Sequence, residues 1–136
     1  MNLSYINTLL VGLCAASPAQ AIDTVYVVPM SHTDIGFTAP PSTVAQAMVA
    51  SADDAIAQAA RDPDYVWVFE SFWQLEQWLK KHKDPAPVVG LLREGRFGLS
   101  AAYATPHSSL MSAWALEWNF RLPAEWGRAH GLRMDW

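Results

Sequence analysis

Apolar runs spaced along the chain predict β-strands. The runs at 24–28 and 65–69 are rich in β-branched and aromatic residues and have no polar alternation, and weaker runs follow at 97–103 and 132–136. An apolar run without alternation is typical of a strand that is buried on both faces of a parallel sheet. We therefore expect a strand at each of these positions.

Segments with helical periodicity separate the strands. Apolar residues that recur every three or four positions indicate amphipathic helices. Ser71 and Gln74 have the spacing of a capping box at a helix start, and Gly95 is a typical helix stop. The predicted helices cover about 41–61, 71–81, 88–94 and 109–130.

The order of these elements predicts the fold class. Strands that alternate with helices indicate βαβ units, in which neighbouring strands are parallel. The predicted class is α/β, with a parallel β-sheet and flanking helices over 22–136. The fourth strand would be short and its sheet edge exposed, so we expect the chain to hold part of a larger sheet.

The first 21 residues have the features of a secretory signal peptide. An apolar run over 8–16 is followed by the small-x-small pattern of a cleavage site at 19–21. About 20 apolar residues are needed to cross a bilayer, so no membrane anchor is predicted. The alternative for this segment is a buried N-terminal helix. We expect export to the periplasm or the cell exterior, as a mature chain without cysteine because Cys14 lies in the signal.

Composition and charge restrict the partner. The formal net charge is −4, and Lys80 and Lys81 form the longest basic run, so no nucleic acid partner is predicted. A neutral or polar small molecule fits better. The chain has seven Trp residues, and such rings either stack on sugar faces or fill the core. We expect Trp67, Trp73 and Trp78 to lie in the core.

Candidate metal ligands follow the first predicted strand. Ligands of parallel α/β sheets bind beyond the carboxyl ends of strands, and His32 and Asp34, two residues apart, face one side if the backbone stays extended. An imidazole nitrogen and a carboxylate oxygen suit zinc. Zinc sites have three or four protein ligands. The pair is therefore also compatible with a turn in which Asp34 or Thr33 caps backbone amides.

Two further polar residues follow the next strands. Glu70 ends the second strand at the same edge of the sheet, where it could support a ligand, bind a substrate or simply be solvated. His107 follows the third strand and could be another ligand, although a lone His in a Ser-rich loop more often has no special role.

Four blocks of the chain occur together in a known family. They are VYVVPMSHTDIGFT, DYVWVFESFWQLEQW, EGRFGLSAAYATPHSS and a helix that carries Glu117 and Arg121. In order and spacing they resemble the N-terminal catalytic domain of glycoside hydrolase family 38, the α-mannosidases, from about 24 to 136. The first block is the most specific. The resemblance implies a partial β/α barrel-like glycoside hydrolase domain.

The resemblance also implies a zinc cofactor. In this family the first strand ends in a His-x-His-x-Asp-x-Gly-aromatic motif, whose second His and Asp bind a zinc ion that also holds sugar hydroxyls. By resemblance His32 and Asp34 are these ligands, and Phe37 is the aromatic that contacts the mannose. Met30 stands in place of the first His, and 106–109 replaces an Asp-Glu pair that is common in the family. These departures indicate a divergent, bacterial-type branch.

The resemblance implies retaining hydrolysis of an α-mannoside or related glycan by full-length members, with one carboxylate as nucleophile and another as acid/base. The nucleophile is expected beyond Trp136, so no catalytic residue is assigned and the chain alone is expected to be inactive. A metal-dependent amidohydrolase is an alternative, but it requires His where Met30 stands. The non-enzyme alternative is a small exported carbohydrate-binding or structural domain.

Overall fold

The computed structural model describes residues 22–134. Its elements are α1 Pro41–Arg61, β1 Trp67–Phe69, α2 Phe72–Lys81, α3 Ala86–Arg93, β2 Phe97–Leu99 and α4 Ala113–Ala129. The predicted signal peptide at 1–21 and the end of the predicted fourth strand, 135–136, lie outside the described residues. Within the described range, every helix is too short or too polar to cross a membrane.

Strands β1 and β2 pair in parallel. The register aligns Trp67 with Phe97 and Phe69 with Leu99. Helices α2 and α3 form the connection between them, because parallel strands cannot be joined by a hairpin. A mixed helix and strand fold with a parallel sheet is therefore confirmed, with two strands in the sheet over residues 22–134. The barrel-like arrangement stays a prediction.

The first predicted strand is wrong in its position. Residues 24–28 form no strand, and their apolar side chains are exposed. The chain reaches the sheet later, where Met30 forms a single parallel bridge with Val68. A strand that is apolar on both faces requires helices over both faces, whereas α1 packs on α2, and α2 packs on β1. The described helices therefore leave this segment uncovered.

Helix α1 confirms the predicted periodicity. Pro41 occupies its first turn, where the missing N–H removes no helical hydrogen bond. Its buried residues form one stripe that faces α2: Val44, Met48, Val49, Ala52, Ala55 and Ala59. The core lies between this stripe, α2 and the sheet, and includes Phe69, Phe72, Leu75, Trp78, Val88 and Phe97.

Helix α2 begins after Ser71 as predicted, but without the predicted capping box. The Ser71 side chain makes no capping hydrogen bond. Instead, the carbonyls of residues 102 and 103 accept hydrogen bonds of 2.9 Å from the N–H groups of Phe72 and Trp73. These N–H groups have no partner within the helix. The segment after β2 thus caps α2, which explains why β2 is shorter than predicted.

The other two helices differ from the prediction at their starts. Helix α3 begins two residues early, because the Asp84 carboxylate accepts a hydrogen bond from its first N–H group. It stops before Gly95, whose φ of 71° confirms the predicted helix end. Helix α4 begins later than predicted, after Ser112, whose hydroxyl caps its first turn. Residues 132–134 are not in a strand, so the described part of the fourth predicted strand is wrong.

Candidate functional site

Chemically active side chains meet at the carboxyl end of the sheet. Glu70 directly follows β1, and the segment that is bridged to β1 through Met30 continues into His32 and Asp34. This is the edge at which parallel α/β sheets bind ligands. The three residues line a cleft of about 300 Å³. Other residues that line it are Thr33, Ser71, Trp73, Gln74, Thr105 and His107.

His32 and Glu70 form the closest polar contact of the cleft. The Nδ1 atom of His32 lies 2.6 Å from the Oε1 atom of Glu70. This hydrogen bond, followed by the charge of Glu70, raises the pKa of His32 above its ordinary value. The His32 ring is largely open to solvent, whereas most of the Glu70 side chain is covered. A ring held on one side by a carboxylate thus presents its other side to the cleft.

The remaining ring nitrogen of His32 faces Asp34. Its Nε2 atom lies 3.8 Å from the Oδ1 atom of Asp34. Two ligands of a tetrahedral zinc ion, each about 2.0–2.1 Å from the metal, lie about 3.3 Å apart. Small rotations would therefore let His32 and Asp34 occupy two zinc positions. A histidine that binds metal commonly donates its other N–H to a carboxylate, and Glu70 is placed to accept it.

Two donors do not complete a zinc site, which has three or four protein ligands. Over residues 22–134, no group of three or more His, Cys, Asp or Glu side chains is placed to hold a metal ion. His107 lines the same cleft without forming such a group. Metal binding by His32 and Asp34 therefore stays a prediction.

Residues 23–116 match the family model for the glycosyl hydrolases family 38 N-terminal domain. The matched range includes every cleft residue named above. This chain belongs to glycoside hydrolase family 38. The sequence resemblance is confirmed over that range, and the cleft is part of a glycosidase-family domain. No curated protein matches the chain, and no solved structure does.

Trp73 is a cleft residue of the family 38 domain that the sequence pattern places in the core. It lies in the first turn of α2 and is half-buried, whereas Trp78 is buried as predicted. Trp67 is half-buried and packs against the core. Five positions correspond to about 140° around a helix, so Trp73 and Trp78 cannot face the same side. This angle is the sequence signal that separates the two residues.

Phe37 lies in a turn outside the cleft of the family 38 domain. Gly36 has a φ of 86°, and its N–H donates a hydrogen bond of 3.0 Å to the Ala39 carbonyl. Gly36 therefore turns the backbone just before Phe37. Phe37 is 91% exposed and does not line the cleft. Its contact with a sugar stays a prediction.

Asn119 of α4 fixes the cleft wall formed by residues 104–107. Its Oδ1 atom accepts a hydrogen bond from the Ala104 N–H at 2.9 Å, and its Nδ2 atom donates to the Ala104 carbonyl at 3.0 Å. Nothing in the sequence pattern marks Asn119, because a single Asn in a helix usually faces solvent. Asn119 is buried, and its side-chain amide therefore helps to hold this wall of the cleft.

The neighbouring Tyr103 adds a second support. Its hydroxyl donates a hydrogen bond of 2.9 Å to the Glu76 carboxylate of α2. Burial, then this hydrogen bond and the charge of Glu76, raise the pKa of Tyr103 to about 12. The phenol therefore remains a neutral donor at physiological pH, and α2 stays attached to the segment that leads into the cleft wall.

Proposed function

We propose that this chain forms the metal- and sugar-holding part of an exported, zinc-dependent α-mannosidase of family 38. The observation that carries the proposal is the position of His32 between two carboxylates, 2.6 Å from Glu70 and 3.8 Å from Asp34. This arrangement orients an imidazole and leaves its second nitrogen for a cation. The family match supports a glycan substrate. Zinc and mannoside specificity rest on the resemblance of the SHTDIGF motif.

Each residue of the proposed site has one role. Glu70 holds the His32 ring with its proton on Nδ1, so that Nε2 is a donor for the metal. Asp34 would supply a carboxylate oxygen, and His107, which lines the same cleft, would have to move toward the pair to supply a further nitrogen. Zinc bound there would hold and polarise sugar hydroxyls.

The cleft is suited to a sugar ring. Its volume of about 300 Å³ lies at the lower end of small-molecule sites, which span about 300–1,000 Å³. Trp73 offers an aromatic ring with a polar N–H, a combination that suits sugars. Thr33, Ser71 and Thr105 add hydroxyl groups that can bond to sugar hydroxyls. Phe37 completes the proposed sugar contacts if its turn closes over the ligand.

We assign binding and not bond cleavage to this part of the enzyme. Retaining glycosidases need a carboxylate nucleophile and a carboxylic acid/base. Glu70 is engaged by His32, and Asp34 is a proposed metal ligand, so neither is assigned these roles. The nucleophile is expected beyond Trp136, and the chain alone is expected to be inactive. Export through a signal peptide at 1–21 is part of the same proposal.

Calorimetric titration of the mature chain, from Ile22, with Zn²⁺ tests the site. We expect 1:1 binding that is lost in His32→Ala and in Asp34→Ala. His130→Ala is the matched control, because His130 packs on Trp126 at the end of α4, and it should bind zinc like the wild type. Unchanged binding in both site variants would contradict the proposal. So would the absence of binding by a chain that circular dichroism shows to be folded.

Hydrolysis of an aryl α-mannoside, measured on the same preparations, tests the division of roles. We expect no turnover by the chain alone and mannose binding that depends on zinc. Turnover that a chelator abolishes would show that this chain holds its own catalytic carboxylates. Sugar binding without zinc that is unaffected by His32→Ala would favour the carbohydrate-binding alternative.

A further inference from the structure

Gln74 is a buried side-chain amide between the two segments that carry the site. It lies in the first turn of α2 and is 6% exposed. Its Oε1 atom accepts a hydrogen bond from the Glu70 N–H at 3.0 Å, and its Nε2 atom donates to the Ser31 carbonyl at 2.9 Å. A backbone N–H can only donate and a backbone carbonyl can only accept. The orientation of the amide is therefore fixed by its two partners.

These partners occupy a defined place in the parallel ladder. The Val68 N–H donates a hydrogen bond of 3.0 Å to the Pro29 carbonyl. In a parallel sheet, the N–H and carbonyl groups that point to the same neighbouring strand recur at every second residue. Two residues after Val68 and Pro29, a regular ladder would therefore have a hydrogen bond, or rung, from the Glu70 N–H to the Ser31 carbonyl. The amide of Gln74 stands between these two groups and replaces that rung.

We propose that Gln74 is a positioning residue for the His32–Glu70 pair, because its inserted amide sets the separation of the two segments at this point. In a direct hydrogen bond, the Glu70 nitrogen and the Ser31 oxygen would lie about 2.9 Å apart. The inserted amide increases this separation by its own width and by the length of a second hydrogen bond. The segments consequently diverge where the imidazole meets the carboxylate. The role of Gln74 in metal binding rests on the proposed function, because His32 is a metal ligand only in that proposal.

Support of the helix does not account for this arrangement. The start of α2 is capped by the carbonyls of residues 102 and 103, so the helix does not need a side chain from its own first turn. A capping box would place the Gln74 amide on the N–H of Ser71. The amide instead bonds to Glu70 and to Ser31, which immediately precedes His32. Its hydrogen bonds therefore act on the site and not on the helix.

Scalar couplings across hydrogen bonds in the isotope-labelled wild-type chain test the inserted rung. We expect couplings from the Glu70 amide nitrogen to the side-chain carbonyl carbon of Gln74, and from the Gln74 side-chain nitrogen to the Ser31 carbonyl carbon. The Val68-to-Pro29 coupling is the internal control. A direct coupling from Glu70 to Ser31 would overturn the proposal, and so would the absence of both expected couplings when the control is seen.

Gln74→Met tests the positioning role, since it keeps the length of the side chain and removes both hydrogen bonds. The readout is the ¹⁵N spectrum of the His32 ring at one pH, which reports whether Nδ1 carries a hydrogen-bonded proton. We expect this signature in the wild type and its loss in Gln74→Met. Gln77→Met is the matched control on the same helix, because the Gln77 amide contacts the Trp73 carbonyl. It should keep the signature.

A folded Gln74→Met chain with the wild-type His32 signature would overturn the positioning role. If that variant unfolds, Gln74→Ala is measured in the same way, because the shorter side chain admits water or a direct rung. Neither zinc nor sugar is present in these measurements. A chain that shows the expected couplings and signatures but binds no zinc would refute the proposed function alone. A zinc-binding chain whose signature survives Gln74→Met and Gln74→Ala would refute the positioning role alone.

Discussion

His32 and Glu70 are joined by a hydrogen bond of 2.6 Å between Nδ1 and Oε1, although 38 positions separate them in the chain. One follows the bridge to β1, and the other follows β1 itself. A carboxylate that accepts from Nδ1 fixes the tautomer in which Nε2 carries the lone pair. The relationship therefore decides which ring nitrogen is available to a ligand.

Glu70→Gln should weaken zinc binding by roughly 10- to 100-fold, the usual effect of losing the carboxylate behind a metal-binding His. The amide keeps the size of the side chain and removes the charge that favours the Nδ1 proton. Competition with a chromophoric chelator measures the affinity. Glu94→Gln is the control, because Glu94 is an exposed carboxylate at the end of α3. Equal losses in the two variants would indicate a general charge effect and contradict the role of Glu70.

Asn119→Ala should lower the free energy of unfolding by about 2 kcal/mol, because the N–H and carbonyl of Ala104 both lose a buried partner. Urea unfolding measures the change. Asn119→Asp keeps an acceptor for the Ala104 N–H but places a buried carboxylate oxygen against the Ala104 carbonyl, so its loss should be at least as large as that of the Ala variant. A loss below about 0.5 kcal/mol for Asn119→Ala would show that water replaces the amide, and that the cleft wall does not depend on it.

Gly95→Ala and Gly90→Ala should change stability in opposite directions. Gly95 has a φ of 71°, and a Cβ there would meet open space. Its substitution costs about 1 kcal/mol from backbone strain alone. Gly90 lies inside α3 with equally open surroundings, so Ala should stabilise the chain by about 0.5–1 kcal/mol. Thermal unfolding of both variants compares them, and a loss at Gly90 would contradict the helical assignment.

Helix α1 could be predicted from the sequence because its signals are local. Its apolar stripe repeats at the helical period, and Pro41 marks its start. The first strand could not be predicted, because burial of 24–28 depends on what covers both of its faces. The end of β2 could not be predicted either, since the residues after it leave the sheet to cap α2. Hydrogen bonds between segments that are distant in the sequence leave no periodic signal in it.

The residues of the site also fall into those that the sequence predicts and those that it does not. His32, Asp34 and Glu70 could be expected at one edge, because parallel strands end together. The role of Gln74 could not be predicted, since its spacing from Ser71 also fits a capping box. Only the structure shows that the Glu70 N–H and the Ser31 carbonyl bond to the Gln74 amide and not to each other. The shared edge of His32, Asp34 and Glu70 thus follows from strand order, whereas the place of Gln74 follows from packing.

Asp53 joins α1 to α2 and makes the free energy of unfolding depend on pH in the acid range. It accepts hydrogen bonds from Trp78 at 2.8 Å and from Lys81 at 3.3 Å, and the Nε2 atom of His82 lies 2.9 Å away. Burial acts to raise the pKa of Asp53. The hydrogen bonds from Trp78 and Lys81 and the charges of His82 and Lys81 outweigh burial, and the pKa lies below its ordinary value of 3.8.

Asp53→Asn should therefore lower the free energy of unfolding at about pH 6 and have a smaller effect at about pH 2.5. The folded chain binds the Asp53 proton more weakly than the unfolded chain does. The stabilisation is thus present above pH 3.8 and is lost as the pH falls through the lower folded value. Urea unfolding at both pH values measures it, with the exposed neighbour Asp54→Asn as control. Asn still accepts a hydrogen bond from Trp78, so a difference that is the same at both pH values would assign the effect to packing and not to the charge.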